Sequence, residues 1–300
     1  MRIALVHNEG AGQGIYTGAD LVHLLHDRGY EVDYFQRKGG GVRRAIHSRP
    51  QVLVCAGGDG TIAETAIALR GSPIPLFMLP TGTSNNIARA VGLDAPIPVL
   101  IAQLSSVRET RLDLGHIVGD GHEKWFVEGA GMGFIATMLR EDGHRWRHIL
   151  RNIRNRFPGG GDPATRSHRA AAARVRRGRA RYVHVVADGH DLSGEYVTVE
   201  VMNIPAVGPR ILLAGHADPS DARLDLVLVG PNDRFALADH IASSRTTDPP
   251  INTRSVRRIE LDWPNVATHV DDEVWPRDSR HPPHRVILEI AGSVNLLLPR

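Results

Sequence analysis

Three glycine-bearing turns in the first third of the sequence each follow an apolar segment typical of a β-strand. They are Asn8–Gly14, Gly57–Thr61 and Pro80–Asn85. Glycine lets the backbone approach a phosphate closely and turn its N–H groups towards it. A helix that begins directly after such a turn adds the positive end of its dipole. Together the three turns predict a phosphate-binding site, although one such turn alone would more often only connect two elements.

The side chains in these turns suit phosphate and magnesium chemistry. Thr61 and Thr83 carry hydroxyl groups that can donate hydrogen bonds, and Asp59 carries a carboxylate that can hold a magnesium ion between phosphates. The sequence lacks the P-loop pattern that ends in Gly-Lys-Ser or Gly-Lys-Thr. We therefore expect backbone N–H groups and hydroxyl groups to hold the phosphates.

The segments around the turns predict an open parallel sheet. Apolar runs at Ile3–His7, Val52–Ala56 and Leu76–Leu79 alternate with segments of helical periodicity such as Asp20–Arg28. In such a sheet the carboxyl ends of the strands lie at one edge, where ligands bind. The three turns should therefore converge.

The pattern changes after about residue 112. Short strand-like segments separated by turn residues predict an antiparallel sandwich or barrel, of which we take the sandwich. The predicted fold class is therefore α/β. A doubly wound α/β nucleotide domain would span residues 1–112, and a mostly antiparallel β-sandwich domain would span residues 113–290.

Two acidic segments of the second half are candidates for metal binding and acid–base chemistry. Asp218–Asp225 carries three carboxylates in eight residues, and carboxylates on a short loop can bind a hard cation together with backbone carbonyls. His269–Glu273 carries three consecutive carboxylates. On the residues alone, each segment is at least as compatible with an ordinary polar turn.

The positive charge of the chain is concentrated in one stretch. Between Arg140 and Arg181 there are thirteen arginines and only three acidic residues. Such a patch favours an anionic partner, although it is also compatible with a solvated surface segment. Aromatic residues are sparse there, which argues against stacking on nucleic acid bases, so we expect an anionic membrane surface and no nucleic acid.

Other features of the composition favour a cytoplasmic protein. Cys55 is the only cysteine, which excludes an intrachain disulfide. The apolar run at the N-terminus is too short for a signal peptide, and no window approaches the roughly 20 apolar residues of a membrane span. We expect a cytoplasmic protein that is peripheral at the inner membrane surface.

Several motifs resemble the bacterial diacylglycerol kinase family. Gly57–Thr61 resembles the nucleotide signature shared by diacylglycerol kinases, sphingosine kinases and NAD kinases. Leu79–Arg89 resembles the second diacylglycerol kinase motif, Asn8–Gly12 resembles the opening turn of the family, and Ala291–Pro299 resembles its C-terminal strand. The combination is specific to lipid kinases, whereas the first motif alone is not.

The resemblance implies an ATP-dependent lipid kinase that transfers the γ-phosphoryl group to a diacylglycerol-like hydroxyl, with ATP, a lipid acceptor and Mg²⁺ as its ligands. It implies that the β-rich domain holds the lipid, that residues 291–300 return to the first domain, and that a homodimer is to be considered. The implied nucleotide-binding residues are Asn8, Gly12, Gly57, Gly58, Asp59, Gly60, Thr61, Gly82, Thr83 and Asn85.

The resemblance also implies roles for the acidic segments. The magnesium ligands would be Asp218, Asp221 and the carbonyl oxygen of Arg223. The base that accepts the proton of the lipid hydroxyl would be Glu273, with Asp59 and Asp271 as further catalytic residues. If residues 271–273 are extended, the side chains of Asp271 and Glu273 face the same way.

Two other functions stay open. The Gly57–Thr61 motif is shared with NAD kinases, so an NAD kinase-like activity is one alternative. The other is a nucleotide- or lipid-binding protein whose catalysis has decayed, because Asn86 stands where the family usually has Asp, and Ala222 and Asp272 stand where it usually has Gly.

The arginine-rich stretch leads to a test of membrane contact. We expect the protein to sediment with anionic phospholipid vesicles at low salt and to be released as salt rises. The attraction of an exposed Arg to anionic lipid is worth roughly 1 kcal/mol and decays within a Debye length. Equal sedimentation with neutral and anionic vesicles at low salt would contradict the prediction.

Overall fold

The computed structural model describes residues 1–12, 14–141, 163–263, 266–276 and 284–300. The chain divides into two compact units. The first unit consists of Met1–Leu114 and Gly292–Arg300, and the second unit of Gly115–Ala291. Within the described ranges, no helix is both long enough and apolar enough to cross a bilayer. Residues 142–162 of the arginine-rich stretch lie outside the described residues.

The first unit alternates strands and helices. In chain order its complete elements are β1 (Arg2–His7), α1 (Gly18–His26), β2 (Glu31–Gln36), α2 (Gly41–His47), β3 (Val52–Gly57), α3 (Asp59–Ala68), β4 (Leu76–Pro80), α4 (Asn86–Ala90) and α5 (Ile97–Gln103). Two long strands, β5 (Val107–Gly119) and β19 (Arg285–Pro299), contribute residues to both units.

The sheet of the first unit is parallel, with the strand order β2-β1-β3-β4. The last residues of β19 join it beside β4, where Leu296 pairs with Leu76 in parallel. All six residues of β3 are buried, whereas the edge strand β2 has no buried residue. A central strand of a parallel sheet is covered on both faces, which explains why Val52–Ala56 is apolar throughout rather than alternating.

Helix α3 begins earlier than the sequence pattern predicts. The apolar periodicity starts at Ile62, but the helix starts at Asp59, directly after the extended residue Gly58. Gly60 and Thr61 therefore lie in its first turn, where backbone N–H groups have no partner within the helix.

The second unit is built mainly from antiparallel strands. The strands that follow β5 are β6 (His122–Phe126), β7 (Gly129–Met132), β8 (Arg181–Ala187), β9 (His190–Asp191), β10 (Gly194–Tyr196), β11 (Thr198–Met202), β12 (Ala206–Val207), β13 (Ile211–Leu212), β14 (Leu224–Val229), β15 (Asn252–Val256), β16 (Arg258–Asp262), β17 (Thr268–Val270) and β18 (Glu273–Trp275). Residues 134–141 are helical, and two more helices are α6 (Pro163–Arg177) and α7 (Arg234–Ala242).

Two sheets of the second unit pack face to face. One has the order β10-β8-β16-β19 and the other the order β15-β14-β11-β7-β17-β18. Their facing side chains form one apolar core, to which Val201 and Leu226 belong. The opposite face of the six-stranded sheet packs on α6 and α7, and there Val227 and Val229 are buried. The alternation along β14 is the period of two that a strand between two apolar layers requires.

The predicted α/β fold class is thus confirmed: a parallel sheet with helices is followed by antiparallel sheets that form a sandwich. The segment Ala291–Pro299, which resembles the C-terminal strand of the family, is the second part of β19, a single strand of 15 residues.

Candidate active site

The three glycine-bearing turns of the first unit meet at the carboxyl end of the parallel sheet. A Cβ atom at Gly82 would lie 2.4 Å from Cα of Gly58, and a Cβ atom at Gly12 would lie 2.2 Å from the carbonyl oxygen of Thr81. Both distances are shorter than any van der Waals contact, so only glycine allows these loops to touch. The amide of Asn8 links the first loop to the second by donating to the hydroxyl of Thr61 over 3.0 Å.

Asp59 joins the second loop to the third. Its carboxylate accepts a hydrogen bond from the backbone N–H of Ile87, in the first turn of α4, with N and O 3.0 Å apart. Burial raises the pKa of Asp59, while backbone hydrogen bonds from Ile87 and its neighbours oppose that rise. Asp59 therefore holds the Pro80–Asn85 loop in place, a role that the sequence analysis did not assign to it.

The third loop presents buried oxygen atoms towards the loops it meets. Asn85 adopts a left-handed backbone conformation with φ 53°, and its amide nitrogen donates to the carbonyl oxygens of Pro80 and Gly82. Among the described residues, the side-chain oxygens of Thr81 and Asn85 are buried without a hydrogen-bond partner. Buried polar atoms without partners are costly. A bound phosphate could accept from the Thr81 hydroxyl, and a hydrated cation could satisfy the amide oxygen of Asn85, which only accepts.

The predicted metal-binding segment is a pair of local turns. The Asp218 carboxylate accepts from the N–H of Ser220 over 2.9 Å and from its hydroxyl over 2.7 Å. The Asp221 carboxylate accepts from the N–H of Arg223 over 2.9 Å. Ala222 has φ 60°, a conformation that glycine adopts readily, so the backbone keeps a glycine-like turn without glycine.

The donor chemistry of this segment fits a hard cation. Burial and the neighbouring charge of Asp221 raise the pKa of Asp225 to about 6, so the segment concentrates negative charge that a cation would neutralise. Asp218, Asp221 and a backbone carbonyl would supply only oxygen ligands, as Mg²⁺ prefers. No group of three or more His, Cys, Asp or Glu side chains in the described part of the chain has a metal-binding arrangement.

The acidic segment at residues 271–273 is a turn and not an extended chain, so the expectation that Asp271 and Glu273 face the same way is wrong. Asp271 and Asp272 form the turn between β17 and β18, and Asp271 has φ 50°. An Asp carboxylate tolerates this left-handed conformation better than most side chains, which is why a tight hairpin can be made here without glycine.

The carboxylate of Asp271 accepts hydrogen bonds from the backbone between β6 and β7. Its Oδ1 accepts from the backbone N–H groups of Val127, Glu128 and Gly129 over 3.2, 2.8 and 3.2 Å. Burial raises the pKa of Asp271 to about 6, against the lowering effect of these three N–H donors. The carboxylate is thus engaged by the backbone of a neighbouring segment.

Glu273, the predicted base, begins strand β18 and pairs with Lys124 on β6. The Lys124 Nζ atom lies 2.6 Å from Oε2 of Glu273. The two side chains are 27% and 28% exposed, so the pair is open to a ligand. Sequence reasoning missed Lys124, since the two residues are far apart along the chain and only the pairing of β17 with β7 and β18 brings them close.

A narrow apolar pocket of the second unit adjoins the acidic turn. Its volume is about 40 Å³, which is roughly the space of one water molecule or one hydroxymethyl group. Its lining includes the apolar side chains of Ile135, Met138 and Val207 together with Glu128, Asp271 and Asp272. The pocket therefore combines an apolar wall with carboxylates.

A second buried charge pair, also missed from the sequence, lies beneath this turn. Nε2 of His269 is 2.7 Å from Oε2 of Glu200, and the two side chains are 1% and 0% exposed. Burial alone would lower the pKa of His269, but the Glu200 carboxylate raises it above its ordinary value. The sequence signal was Glu200 itself, a charged residue within the apolar strand Thr198–Met202.

Comparison with known proteins gives a consistent picture. Residues 2–117 match the family model described as the diacylglycerol kinase catalytic domain. A diacylglycerol kinase of Mycobacterium tuberculosis (strain ATCC 25618 / H37Rv) is 26% identical over 280 residues, which cover 88% of this chain and 85% of that protein. A protein of Klebsiella pneumoniae (strain 342) named "Probable lipid kinase YegS-like" is 32% identical over 141 residues, or 45% of this chain and 46% of that protein.

A solved structure supports the fold. The crystal structure of a diacylglycerol kinase from Bacillus anthracis str. Sterne has a TM-score of 0.63 with this chain at 17% sequence identity, covering 98% of this chain and 96% of that one. The resemblance to the bacterial diacylglycerol kinase family is confirmed by these findings, whereas the roles of individual site residues stay predictions.

The hydrogen bond from Ile87 to Asp59 leads to a test of stability. Asp59→Asn keeps an acceptor oxygen for this N–H and removes a buried charge, so we expect its Tm to stay near that of the wild type. Asp59→Ala removes the acceptor and should cost about 1–2 kcal/mol. Denaturation of both variants followed by circular dichroism tests this, and an Asn variant as unstable as the Ala variant would contradict it.

Two aspartates with similar local geometry should respond to pH in opposite ways. Asp188, with φ 48°, accepts from the N–H groups of Arg257 and Arg258. Burial would raise its pKa, but these N–H groups and the charge of Arg223 lower it. The pKa of Asp271 is raised to about 6, so the folded protein binds a proton at this carboxyl more tightly than the unfolded chain does. The contribution of Asp271 to the free energy of unfolding is therefore full below about pH 4 and is lost as pH rises through 6.

We therefore expect the stability of Asp271→Asn relative to the wild type to increase between pH 4 and 7, by up to roughly 3 kcal/mol. The pKa of Asp188 is lowered in the folded protein, so its contribution to the free energy of unfolding is present above about pH 4 and is lost at lower pH. Asp188→Asn should therefore lose stability relative to the wild type as pH rises. Urea denaturation of the three proteins across this range measures both trends. The same trend in both variants would show that burial does not distinguish the two carboxylates.

Proposed function

We propose that the chain is an ATP-dependent lipid kinase that phosphorylates a hydroxyl group of a diacylglycerol-like acceptor, because residues 2–117 match the family model of the diacylglycerol kinase catalytic domain. The observation that carries the proposal is the contact among the three glycine-bearing loops, at Gly58–Gly82 and Gly12–Thr81. Loops this close bring many backbone N–H groups to one small region, which suits the phosphates of a nucleotide.

The nucleotide site that we propose uses backbone and neutral side chains. Donors would come from the first turn of α3, at Gly60 and Thr61, and from the loop that carries Gly82 and Thr83. The unsatisfied oxygens of Thr81 and Asn85 support a ligand at this point. Asp59 would fix the loop and would also hold Mg²⁺ by its negative charge, which asparagine lacks, so we expect Asp59→Asn to abolish transfer even though the fold is kept.

Bound Mg²⁺–ATP would supply the phosphoryl group and neutralise the charge that develops during transfer. In the second unit, Asp218, Asp221 and the carbonyl of Arg223 would hold Mg²⁺. Because these ligands lie on the Asp218–Asp225 segment of the second unit, this ion would neutralise and shape that segment.

The acceptor would present its hydroxyl at the acidic turn. The new bond forms between the hydroxyl oxygen and the γ-phosphorus, the bond to the bridging oxygen of ADP breaks, and the proton of the hydroxyl passes to a carboxylate oxygen of Glu273. The narrow pocket beside Asp271 has room for the hydroxyl-bearing end of the acceptor, and its apolar wall at Ile135 and Met138 suits a lipid better than a sugar or a nucleotide.

The pairing with Lys124 bears on how Glu273 works. A lysine 2.6 Å from the carboxylate favours the ionised form, which is the form that can accept a proton. It also orients the carboxylate through its Oε2 atom. Lys124 would therefore assist Glu273 without itself contacting the acceptor.

An NAD kinase-like activity is a second candidate, since the Gly57–Thr61 motif is shared with that family. The apolar wall of the pocket favours a lipid. A panel assay decides between them: purified protein, labelled ATP, Mg²⁺, and a set of lipids together with NAD. The lipid kinase proposal fails if NAD is the only acceptor, and the binding-protein alternative takes its place if nothing is phosphorylated.

The role of Glu273 leads to a kinetic test. We expect Glu273→Gln to lower kcat by at least about a hundredfold, the low end of the range for general acid–base catalysis, and to leave ATP affinity unchanged. Lys124→Met should lower kcat by less than about tenfold, because the carboxylate remains. Asp272→Asn should have little effect.

The comparison among these variants is decisive. If Glu273→Gln is fully active while Asp271→Asn or Asp272→Asn is inactive, Glu273 is not the base. If Lys124→Met is as impaired as Glu273→Gln, the ion pair and not the free carboxylate is what the reaction needs.

A further inference from the structure

We propose that the buried pair of Glu200 and His269 is a positioning device for the acidic turn, so that Glu273 and the pocket beside Asp271 depend on two residues that never contact substrate. This inference rests on the proposed function. It begins with the register of three adjacent strands, in which Gly131 of β7 pairs with Glu200 of β11 on one side and with His269 of β17 on the other.

The missing side chain at Gly131 is what allows the pair to form. Neighbouring strands lie ~4.8 Å apart, so Glu200 and His269 start about 10 Å from each other across the sheet. Their side chains meet over the central strand, with Nε2 and Oε2 2.7 Å apart. A Cβ atom at position 131 would lie 2.2 Å from that same Oε2 and would separate the two.

Hydrogen-bond chemistry fixes the orientation of the imidazole ring. Nδ1 of His269 lies 2.9 Å from the backbone carbonyl oxygen of Asp271. A carbonyl oxygen can only accept, so Nδ1 carries a proton. A further proton lies between Nε2 and Glu200, and with it the buried pair has no net charge. Both ring nitrogens are thereby committed, one to strand β11 and the other to the turn.

This ring connects the six-stranded sheet to the turn that carries the carboxylates. Nδ1 of His269 donates to the carbonyl of Asp271. The N–H of Asp271 donates to the carbonyl of Gly129 over 2.7 Å, and its carboxylate accepts from the N–H groups of residues 127–129. Every polar group of Asp271 is therefore fixed. Glu273 follows two residues later, so the direction in which it leaves the turn is set by the same contacts.

Stability alone is a poor explanation for a buried charge pair. Removing two charged groups from water costs about as much as their attraction returns, and apolar residues of similar volume are often as stable or more stable. An apolar pair could not position the acidic turn, because it has no donor for the carbonyl of Asp271. The two roles can therefore be separated by experiment.

The test uses the intact protein and a double variant, Glu200→Leu/His269→Phe, which replaces the pair by apolar side chains. We expect a Tm close to that of the wild type, a kcat at least about tenfold lower, and an unchanged KM for ATP. Glu200→Gln keeps an amide partner for the ring, and should retain kcat within about threefold of the wild type.

Val201→Ala is the matched control. Val201 neighbours Glu200 on β11 but faces the apolar core on the other side of the sheet. The Val201→Ala variant should have a lower Tm than the wild type and an unchanged kcat. A double variant with wild-type kcat would overturn the proposal, and so would a Val201→Ala variant that loses kcat as severely, since any damage to β11 would then suffice.

A second measurement keeps the inference separate from the kinase assignment. Hydrogen–deuterium exchange of peptides that cover residues 266–276 should be at least about tenfold faster in the double variant, while exchange at the Asp188 hairpin stays unchanged. If the wild type phosphorylates none of the acceptors, the proposed function fails, and the positioning role of Glu200 and His269 is then tested by hydrogen–deuterium exchange alone. Wild-type exchange rates in the acidic turn would overturn it.

Discussion

Buried backbone N–H groups need acceptors, and in this protein aspartate carboxylates supply them where one segment crosses another. Asp59 accepts from Ile87 in the first unit. In the second unit, Asp271 accepts from residues 127–129 and Asp188 from residues 257–258. Each carboxylate fixes the backbone of a segment remote in sequence. Both candidate sites depend on such a contact, because a loop held only by its own ends would not keep its N–H groups or side chains in one direction.

Because carboxylates accept backbone hydrogen bonds in this protein, an acidic residue near a candidate site can have a structural role and not a chemical one. A carboxylate that accepts several N–H groups holds the backbone in place and has fewer lone pairs left for a substrate. By that criterion Asp271 is part of the framework, while Glu273 pairs with the cationic side chain of Lys124 at 2.6 Å and is partly exposed. Ionisable residues at a site therefore need to be sorted by their partners before they are assigned roles.

The sequence predicts features that arise from local pattern. The apolar run Val52–Ala56 indicates a central strand because burial on both faces removes the alternation. The glycines at 58 and 82 indicate loops whose backbones come close to another group, because only glycine leaves room for that. Contacts between distant strands have no comparable signal. Lys124 and Glu273 are 149 residues apart, and nothing in either neighbourhood specifies the other. The turn at Asp271–Asp272 was misjudged because glycine, the usual marker of such a turn, is absent and an aspartate adopts the left-handed conformation in its place.

The last strand has a consequence for how the molecule is made. Residues 292–300 belong to the first unit, and Leu296 pairs with Leu76 beside β4. The parallel sheet therefore lacks this strand until the ribosome has synthesised residues 292–300, which follow the second unit. A nascent chain that has emerged only to residue 117 would expose the edge of β4, and exposed strand edges invite pairing with other chains. The segment that matches the family model, residues 2–117, is continuous in sequence, whereas the compact unit that contains most of it is discontinuous.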